Sequence, residues 1–315
     1  MDFSTTPLEN LPSSRTDCLS MLTHLNPAPA KPNRVVVVGA NGFVGASIAD
    51  RLEQQGIETL RLTRKEIDLL TQDAASRLAS LLRDGDSVVA ASAIAPCKTP
   101  EMLRDNIVLG AAMVQAFACR KLAHVVNIGS DAVFADAPLP LVESSPRAPG
   151  SYHGVMHLAR EIMFDTELKS PHATIRPTLI YGALDPHNGY GPNQFRRRAN
   201  KGEPIVLFGD GEERRDHVFV EDVAEIAVRV LKHRSLGSLN VASGVVTSFK
   251  EVAELAVGMA GRDVAITGSP RRGPMPHNGY RPFDTSATQT AFPDFRYTDL
   301  PEGMATAQKA EFGHG

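Results

Sequence analysis

The segment of residues 39–45 constrains this 315-residue chain more than any other part of the sequence. It reads Gly-Ala-Asn-Gly-Phe-Val-Gly, and it follows the four consecutive valines Val35–Val38. Such a β-branched run predicts a strand buried on both faces. Phe43, Ile48 and Leu52 then recur at the spacing of one helix face. The glycines therefore stand at a tight turn from a buried strand into a helix.

A helix that begins at such a turn can hold an anion. Gly39 permits the turn, Gly42 lets the backbone approach a pyrophosphate, and Gly45 lets the helix pack closely on the strand. The unpaired N–H groups and the dipole at the helix N-terminus attract the negative charge. The residues predicted to bind the phosphates of a dinucleotide are Gly39, Asn41, Gly42, Phe43, Val44 and Gly45. A purely structural turn is the alternative.

The rest of the chain alternates strand and helix patterns. Strands are predicted at residues 57–62, 87–93, 124–129 and 172–176, with helical periodicity between them. This alternation indicates an α/β fold with a doubly wound parallel sheet, whose ligands bind at the carboxyl ends of the strands. We expect a flexible N-terminal arm (1–32), a dinucleotide-binding domain (33–180, with later segments returning to it) and a smaller, mainly substrate-binding α/β domain (181–315).

Composition narrows the class of protein. Lys and Arg number 33 against 36 Asp and Glu, a balance that argues against nucleic-acid binding. No apolar run is long enough to span a membrane. Cys18, Cys97 and Cys119 form no paired motif, so we expect no metal and a cytoplasmic location. The arginines at 196–198 are expected on a solvated helix face.

The end of the second strand bears on the choice of dinucleotide. A carboxylate there would bind the ribose of NAD, whereas an arginine suits the 2′-phosphate of NADP. Residues 60–65 read Leu-Arg-Leu-Thr-Arg-Lys, with no carboxylate. Arg64 could clamp the phosphate with its planar guanidinium, so NADP is favoured over NAD. Alternatively, Arg64 and Lys65 are solvated charges.

The chain resembles the extended short-chain dehydrogenases/reductases over residues 34–304. That family contains NAD(P)-dependent nucleotide-sugar epimerases, dehydratases and 4-ketoreductases, and it has the Rossmann fold. The glycines at 39, 42 and 45 match its GxxGxxG motif. By the same resemblance, Asp68 and Leu69 contact adenine, Ala91 and Ala93 pass beneath the cofactor, and Asn106 is the recurring helix asparagine.

The resemblance extends to the catalytic and substrate residues. Ser130 follows the strand at 124–129 as the family's catalytic Ser or Thr does, and Tyr152 matches its catalytic tyrosine. Arg215 and Arg281 match elements that support nucleotide-sugar binding. Asp131 is a candidate substrate contact, although a loop-capping role is its default. Ala132 stands where a dehydratase has a second acid, which disfavours dehydration.

One departure affects the chemistry. The family motif is Tyr-x-x-x-Lys, but Met156 stands four residues after Tyr152. The lysine lowers the phenol's pKa, and an unperturbed phenol near a pKa of about 10 is a poor base at neutral pH. Three alternatives follow: Tyr152 acts with help from Ser130 and the cofactor, a nearby cation replaces lysine, or the site is inactive. His153 and His157 are the neighbouring candidates, but their helical offsets turn them away from the tyrosine, so a solvated or structural role is expected.

The function predicted is an NAD(P)-dependent epimerase or 4-ketoreductase that transfers hydride at C4 of a nucleotide-linked sugar. In this scheme Tyr152 moves the hydroxyl proton and Ser130 hydrogen-bonds the same oxygen. The alternative is a catalytically impaired dinucleotide-binding protein with a structural or regulatory role. By resemblance, the chain is expected to form a homodimer.

Overall fold

The computed structural model describes residues 22–313. Its strands are β1 (Thr23–His24), β2 (Arg34–Val38), β3 (Glu58–Leu62), β4 (Ser87–Ala90), β5 (His124–Ile128), β6 (His172–Pro177), β7 (Leu179–Tyr181), β8 (Ile205–Phe208), β9 (Arg214–Phe219), β10 (Ser235–Val241), β11 (Val246–Ser248), β12 (Ile266–Ser269) and β13 (Tyr280–Arg281). Its helices are α1 (Phe43–Gln54), α2 (Ala74–Leu81), α3 (Pro100–Ala118), α4 (Tyr152–Glu167), α5 (Pro192–Lys201), α6 (Val220–His233), α7 (Phe249–Ala260), α8 (Ser286–Ala291) and α9 (Leu300–Phe312).

The main sheet confirms the predicted fold class. It has seven strands in the order β1-β10-β6-β5-β4-β2-β3. Its strands pair in parallel, except that β1 runs antiparallel to β10. The chain passes from β2 to β3 and then to β4 on the opposite side of β2, so the sheet is doubly wound. Its switch point lies between β2 and β4, where the carboxyl ends of the strands open a cleft for a ligand.

The valine run predicted as a buried strand separates two apolar layers. Val35 and Val37 belong to a core cluster with residues of α1 and α6. Val36 and Val38 belong to a second cluster, on the other face, with residues of α2 and α3. Side chains alternate across a strand, so a strand covered by helices on both faces must be apolar at every position.

Later segments build a smaller α/β unit. Strand β9 pairs with β7, β11 and β13, and β8 pairs with β12. Helices α5, α7 and α9 cover these strands around a third core cluster that includes Phe195, Phe249 and Met304. The chain also returns to the main sheet, since β10 pairs with β6. Within residues 22–313, no helix has both the length and the apolar composition needed to cross a bilayer.

The expectation of a flexible arm is wrong for residues 22–32, and residues 1–21 lie outside the described part of the chain. Strand β1 pairs with Ser235 and Leu236 of β10. The His24 ring stacks on His233 at 4.3 Å and lies 2.8 Å from the Ser235 hydroxyl. These contacts dock the segment on the main sheet, with Thr23 and His24 as its edge strand.

The expectation of a solvated arginine run is also wrong. Arg196 is fully buried, and it donates hydrogen bonds to the Gly182 carbonyl and to Glu311 of α9, both at 3.2 Å. Arg197 donates to the other oxygen of the same carboxylate at 2.6 Å. Because α9 comes more than a hundred residues later, local sequence cannot indicate that a carboxylate covers this helix face.

Candidate active site

The turn after β2 has the geometry of a phosphate cradle. Gly39 has a positive φ of 92°, and a Cβ there would lie 2.6 Å from the backbone nitrogen of Ser92. A Cβ on Gly45 would lie 2.3 Å from the Gly39 carbonyl oxygen, so the first turn of α1 rests directly on the loop. Gly42 is the N-cap of α1, and no side chain caps the helix. Because the first turn also carries no acidic residue, its free N–H groups remain available to an anion.

A cleft of about 700 Å³ opens beside this turn at the switch point. The predicted cofactor residues that line it are Gly39, Asn41, Gly42, Arg64, Asp68, Leu69, Ala91 and Ala93. Thr63 and Ser92 also line it and were not predicted. Glycine backbone lies at one wall and the ends of β3 and β4 lie at the others, so the residues present fit a dinucleotide.

The other predicted cofactor residues support the cleft from behind. Phe43 packs beside Gly182, where a Cβ would lie 3.1 Å from its ring, and Val44 packs against the core. Gly45 lets α1 approach the loop. Asn106 is buried: its amide oxygen accepts from the Ile94 N–H at 2.9 Å, and its amide nitrogen donates to the Ile94 carbonyl at 3.0 Å. Asn106 therefore holds the cleft wall at Ile94.

The mouth of the cleft carries both cations and carboxylates. Arg64 is 79% exposed and forms an ion pair with Asp68 at 3.0 Å. The nearby carboxylate of Glu66 turns back to accept the Thr63 N–H at 2.8 Å. The pKa of Glu66 is lowered, mainly by its hydrogen bonds to Thr63. One oxygen of this carboxylate is therefore engaged by Thr63, and the group stays charged at the edge of the cleft.

Ser130 begins the 3₁₀ turn Asp131–Val133 at the carboxyl end of β5. Its hydroxyl accepts the Ala132 N–H at 3.1 Å, so Ser130 caps this turn. The default capping role for Asp131 is wrong, because its carboxylate instead accepts a hydrogen bond from Arg281 at 3.0 Å. The predicted substrate residues therefore meet at one turn.

Two arginines of the smaller unit converge on that turn. Arg281 is only 2% exposed and also donates to the Asp131 carbonyl at 2.8 Å and to Asp136 at 2.8 Å. Arg215 lies 3.9 Å from the Asp131 carboxylate and donates to Glu213 at 3.3 Å. Arg281 is thus saturated by protein acceptors, whereas Arg215 has fewer partners among the described residues.

Helix α4 is pressed against the same turn. Ser151 caps it by accepting the Gly154 N–H at 3.2 Å. A Cβ on Gly154 would lie 2.1 Å from the Ala132 carbonyl oxygen, so only glycine permits this approach. Glu161 accepts hydrogen bonds from buried Arg176 of β6 at 2.9 and 3.0 Å. These contacts fix both the position and the rotation of α4.

Arg160 fixes the same rotation through two backbone carbonyls. Its guanidinium donates to the Ser92 carbonyl at 2.8 Å and also to the Ile128 carbonyl. These carbonyls lie just beyond β4 and at the end of β5. Burial lowers the pKa of Arg160 to about 10, which still leaves it cationic at neutral pH. Sequence reasoning missed both Arg160 and Gly154, since a buried cation is revealed only by the acceptors it reaches.

The rotation places Tyr152 outward. Its side chain is 44% exposed, on the same face as exposed Val155 and Ile162. Its phenol makes no hydrogen bond to any residue of the range 22–313. Met156 is buried. The structure thus places the predicted tyrosine on the outer side of the helix start.

The two histidines turn inward. They face away from Tyr152 as predicted, but His157 is only 7% exposed, so the solvated alternative is wrong for it. The His153 Nδ1 lies 3.5 Å from the Cys97 N–H, in the loop after β4. The two imidazole rings meet edge to face at 4.8 Å. This (i, i+4) pair was visible in the sequence, but its orientation was not.

This fold and site define a dinucleotide-binding oxidoreductase-type enzyme: a glycine cradle at the switch point, with a hydroxyl and titratable side chains at its far end. The model of the NAD dependent epimerase/dehydratase family matches residues 35–242. The chain therefore belongs to that family, which is a family of enzymes.

Similar proteins cover most of the chain. UDP-glucose 4-epimerase of Mycolicibacterium smegmatis is 28% identical over 263 residues, covering 72% of this chain and 83% of the relative. dTDP-4-dehydro-6-deoxy-D-allose reductase of Streptomyces bikiniensis is 23% identical, covering 76% and 84%. The structure of Thermus thermophilus UDP-glucose 4-epimerase with NAD has a TM-score of 0.76 at 22% identity, covering 89% and 99%, a likeness in fold. Structural neighbours include chains bound to NAD and to NADP.

Proposed function

We propose that this protein is an NAD(P)-dependent epimerase or 4-ketoreductase of a nucleotide-linked sugar, with hydride transfer at C4 of the sugar. The relatives named as UDP-glucose 4-epimerase and dTDP-4-dehydro-6-deoxy-D-allose reductase support both the substrate class and the two reaction types. Asp131 is followed by Ala132, so the second acid that a dehydratase would need is missing.

One juxtaposition carries the proposal. The turn at Ser130 touches the start of α4 through Gly154, and it touches Arg281 through Asp131. It follows β5, two strands from the glycine cradle after β2 in the same sheet. A dinucleotide lying along the carboxyl ends of β2, β4 and β5 would therefore bring its reacting end to a hydroxyl, a helix N-terminus and a cationic wall.

The chemistry requires two protein groups. The bound nicotinamide would supply hydride acceptance and donation. The Ser130 hydroxyl would hydrogen-bond the C4 oxygen and stabilise the charge that develops on it. A second side chain, at the start of α4, would exchange the proton of that oxygen. The sequence predicts Tyr152 for this position.

Arg215 is the preferred contact for the substrate's diphosphate. Its guanidinium is only partly compensated, with Glu213 at 3.3 Å and Asp131 at 3.9 Å. The guanidinium of Arg281 already donates to Asp131 and Asp136. We therefore propose that it holds Asp131 and the turn in place. A planar guanidinium can bind two phosphate oxygens at once.

NADP is the favoured cofactor. Exposed Arg64 stands at the cleft mouth after β3, and Glu66 is engaged with Thr63. An uncompensated carboxylate at the cleft mouth would repel the additional phosphate of NADP. Of the two carboxylates that line the mouth, Asp68 is paired with Arg64, and Glu66 has one oxygen engaged by Thr63.

We also propose a homodimer and a reducing compartment. Val108 of α3 and Val155 and Ile162 of α4 are exposed, and the two helices pack side by side, so together they present an apolar strip. Light scattering on the purified protein would give the oligomer's mass. Within residues 22–313, Cys97 and Cys119 are free cysteines, and a reducing compartment would keep them so.

The test is a turnover assay with a panel of UDP-, GDP- and dTDP-sugars, with NADP(H) and NAD(H), followed by chromatography. We expect one nucleotide class to give a C4 epimer, or a C4 alcohol with consumption of NADPH. The S130A variant should lose roughly 100-fold in kcat while its dinucleotide affinity stays within about threefold. V245A, at an exposed position in the smaller unit, is the matched control.

Three outcomes would contradict the proposal. Tight dinucleotide binding with no turnover of any sugar in the panel would favour the alternative of a catalytically impaired binding protein. Turnover that is insensitive to S130A would remove the Ser130 turn from the reaction. Failure to bind either dinucleotide would remove the oxidoreductase assignment altogether.

A further inference from the structure

The rotation of helix α4 decides which of its side chains face the cleft region. Glu161 is tied to Arg176 of β6, and Arg160 is tied to carbonyls beyond β4 and at the end of β5. The side chains of Glu161 and Arg160 both project from the inner side of the helix. His153 lies seven positions before Arg160, and Gly154 lies seven positions before Glu161. Both therefore lie on that same inner face, two turns towards the N-terminus.

From this geometry we propose that His153, with Ser130, contacts the reacting oxygen of the substrate, and that His157 positions His153. The inference deepens the proposed function and rests on it. Tyr152 takes no part in the reaction, because it lies on the outer face with Val155 and Ile162. The functional pair of this chain is then His153 and His157, one residue later than the pair that the Tyr-x-x-x-Lys pattern indicates.

The surroundings of His153 are those of a site rather than of a surface. Gly154, its neighbour, is pressed against the Ala132 carbonyl of the Ser130 turn. Its Nδ1 faces the Cys97 N–H, in the loop that continues the Ala91–Ile94 wall of the cleft. Its Nε2 makes no hydrogen bond to any residue between 22 and 313, so this nitrogen is open to a ligand.

A histidine removes the difficulty raised by the missing lysine. A phenol is protonated at neutral pH and becomes a base only when a nearby cation lowers its pKa. An imidazole that is neutral at this pH already carries a free lone pair. Burial lowers the pKa of His153, the Asp131 carboxylate opposes this effect, and the Arg160 guanidinium adds to it. His153 is therefore in its proton-accepting form without an ammonium neighbour.

Arg160 also explains why position 157, one turn after His153, does not hold a lysine. Its Nη2 lies 3.5 Å from the Nδ1 of His157. Burial, with further contributions from Arg160 and His153, holds the pKa of His157 well below its usual range, so its ring is neutral. A lysine at 157 would place a second positive charge beside a buried guanidinium. The neutral ring instead packs edge to face on His153 and limits its orientation.

The proton and electron transfers balance. In the oxidation direction, the C4–H bond breaks, and a bound nicotinamide would supply the acceptor for the hydride. The C4 hydroxyl loses its proton to Nε2 of His153, which becomes imidazolium, and the C–O bond becomes a carbonyl. Reduction reverses each transfer. Acceptance at Nε2 requires the neutral tautomer that carries its proton on Nδ1. The Cys97 N–H points at Nδ1 and favours the other tautomer, but at 3.5 Å this contact is too long to hold the ring in it.

The first experiment compares adjacent positions. H153Q should lower kcat by roughly 100-fold to 10,000-fold, the usual contribution of general acid–base catalysis, while Y152F stays within about threefold of wild type. H153Y restores a proton-transfer group at the same place. Its residual oxidation rate should rise towards alkaline pH, whereas the wild-type rate should fall only below about pH 6.5. H157F should change the pH profile while leaving KM within about threefold.

A second experiment works without turnover. Diethyl pyrocarbonate acylates accessible neutral imidazoles, and mass spectrometry can follow the peptide that contains His153. Saturating NADP⁺ should slow acylation of His153 at least roughly fivefold, because the nicotinamide end would cover Nε2. Adenosine 2′,5′-bisphosphate, which lacks that end, should leave the rate unchanged. Circular dichroism of each variant checks that it is folded.

The two experiments separate this inference from the function on which it rests. If wild type turns over a sugar nucleotide but Y152F loses activity and H153Q does not, the function stands and the histidine assignment is wrong. If nothing in the panel is turned over, acylation decides the position alone: equal rates with and without NADP⁺ would overturn the assignment. Protection by NADP⁺ would support it.

Discussion

The two ends of the cleft follow the family pattern to different degrees. At the dinucleotide end, Gly39 and Gly45 stand where backbone atoms come within 2.6 and 2.3 Å of a Cβ position, and the sequence motif matches this geometry. At the reacting end, the motif tyrosine is turned outward and two histidines are turned inward. The first end is dictated by backbone sterics, which spacing encodes. The second depends on helix rotation, which distant contacts set.

The largest effect is expected from crowding the dinucleotide end. In G45A, a Cβ would lie 2.3 Å from the backbone oxygen of Gly39, so α1 must move off the phosphate cradle. Overpacking typically costs about 1–3 kcal/mol. Because the displaced segment is itself the phosphate cradle, we expect the upper end of this range to appear as a loss of roughly 150-fold in NADPH affinity. The chain has no tryptophan, so a rise in NADPH's own fluorescence can report binding.

The matched control for that variant is G258A. Gly258 lies within α7, and a Cβ there would meet no atom within 4 Å. Alanine is favoured over glycine inside a helix by roughly 0.5–1 kcal/mol, so G258A should bind NADPH as wild type does and be slightly more stable. Normal NADPH affinity in G45A would show that the close approach at residue 45 is dispensable.

The reacting end can be crowded in the same way. In G154A, a Cβ would lie 2.1 Å from the Ala132 oxygen, which forces the start of α4 away from the Ser130 turn. Because a displacement of about 1 Å at a reacting group can cost roughly 100-fold, we expect kcat to fall by that factor. NADPH affinity should stay within about threefold, since the cradle is untouched. Loss of binding together with turnover would mean that the two ends are not separable.

A histidine outside the site provides a further contrast with His153. His124 of β5 is buried with its Nε2 at 2.6 Å from the Ser235 carbonyl, and burial lowers its pKa from 6.5 to about 4. The unfolded chain therefore binds more protons than the folded chain between these values. Stability is full above about pH 6.5 and is lost as pH falls towards about 4.

Comparison with H124N measures this effect. By linkage, the stability advantage of wild type over H124N should shrink by about 2 kcal/mol between about pH 7 and pH 5. Urea unfolding followed by circular dichroism gives the free energy of unfolding of both proteins at each pH. The pH profile of turnover should not change in H124N, in contrast to H153Y. An advantage that is the same at both pH values would show that His124 is not neutral in the folded chain.

The fold was predictable because its signals are local. The valine run, the glycine turn and the alternating helix patterns report burial and turns at the place where they occur, and the structure confirms the doubly wound sheet they indicate. The choice between Tyr152 and His153 was not predictable in the same way. It depends on Arg176 and on the carbonyls of Ser92 and Ile128, which reach α4 from three other segments.

The smallest effect is expected from substitution of Arg64, which lies at the edge of the dinucleotide end. Arg64 is largely exposed and pairs only with Asp68, so its attraction for a 2′-phosphate is screened by solvent. We expect R64A to weaken NADPH binding by about fivefold, or about 1 kcal/mol, and to leave NADH binding unchanged. The difference should diminish at high salt, because an exposed charge acts through solvent. K65A tests whether the adjacent cation shares the role. If R64A weakens NADH and NADPH equally, Arg64 supports the loop rather than the additional phosphate, and the preference for NADP must come from elsewhere in the cleft or be abandoned.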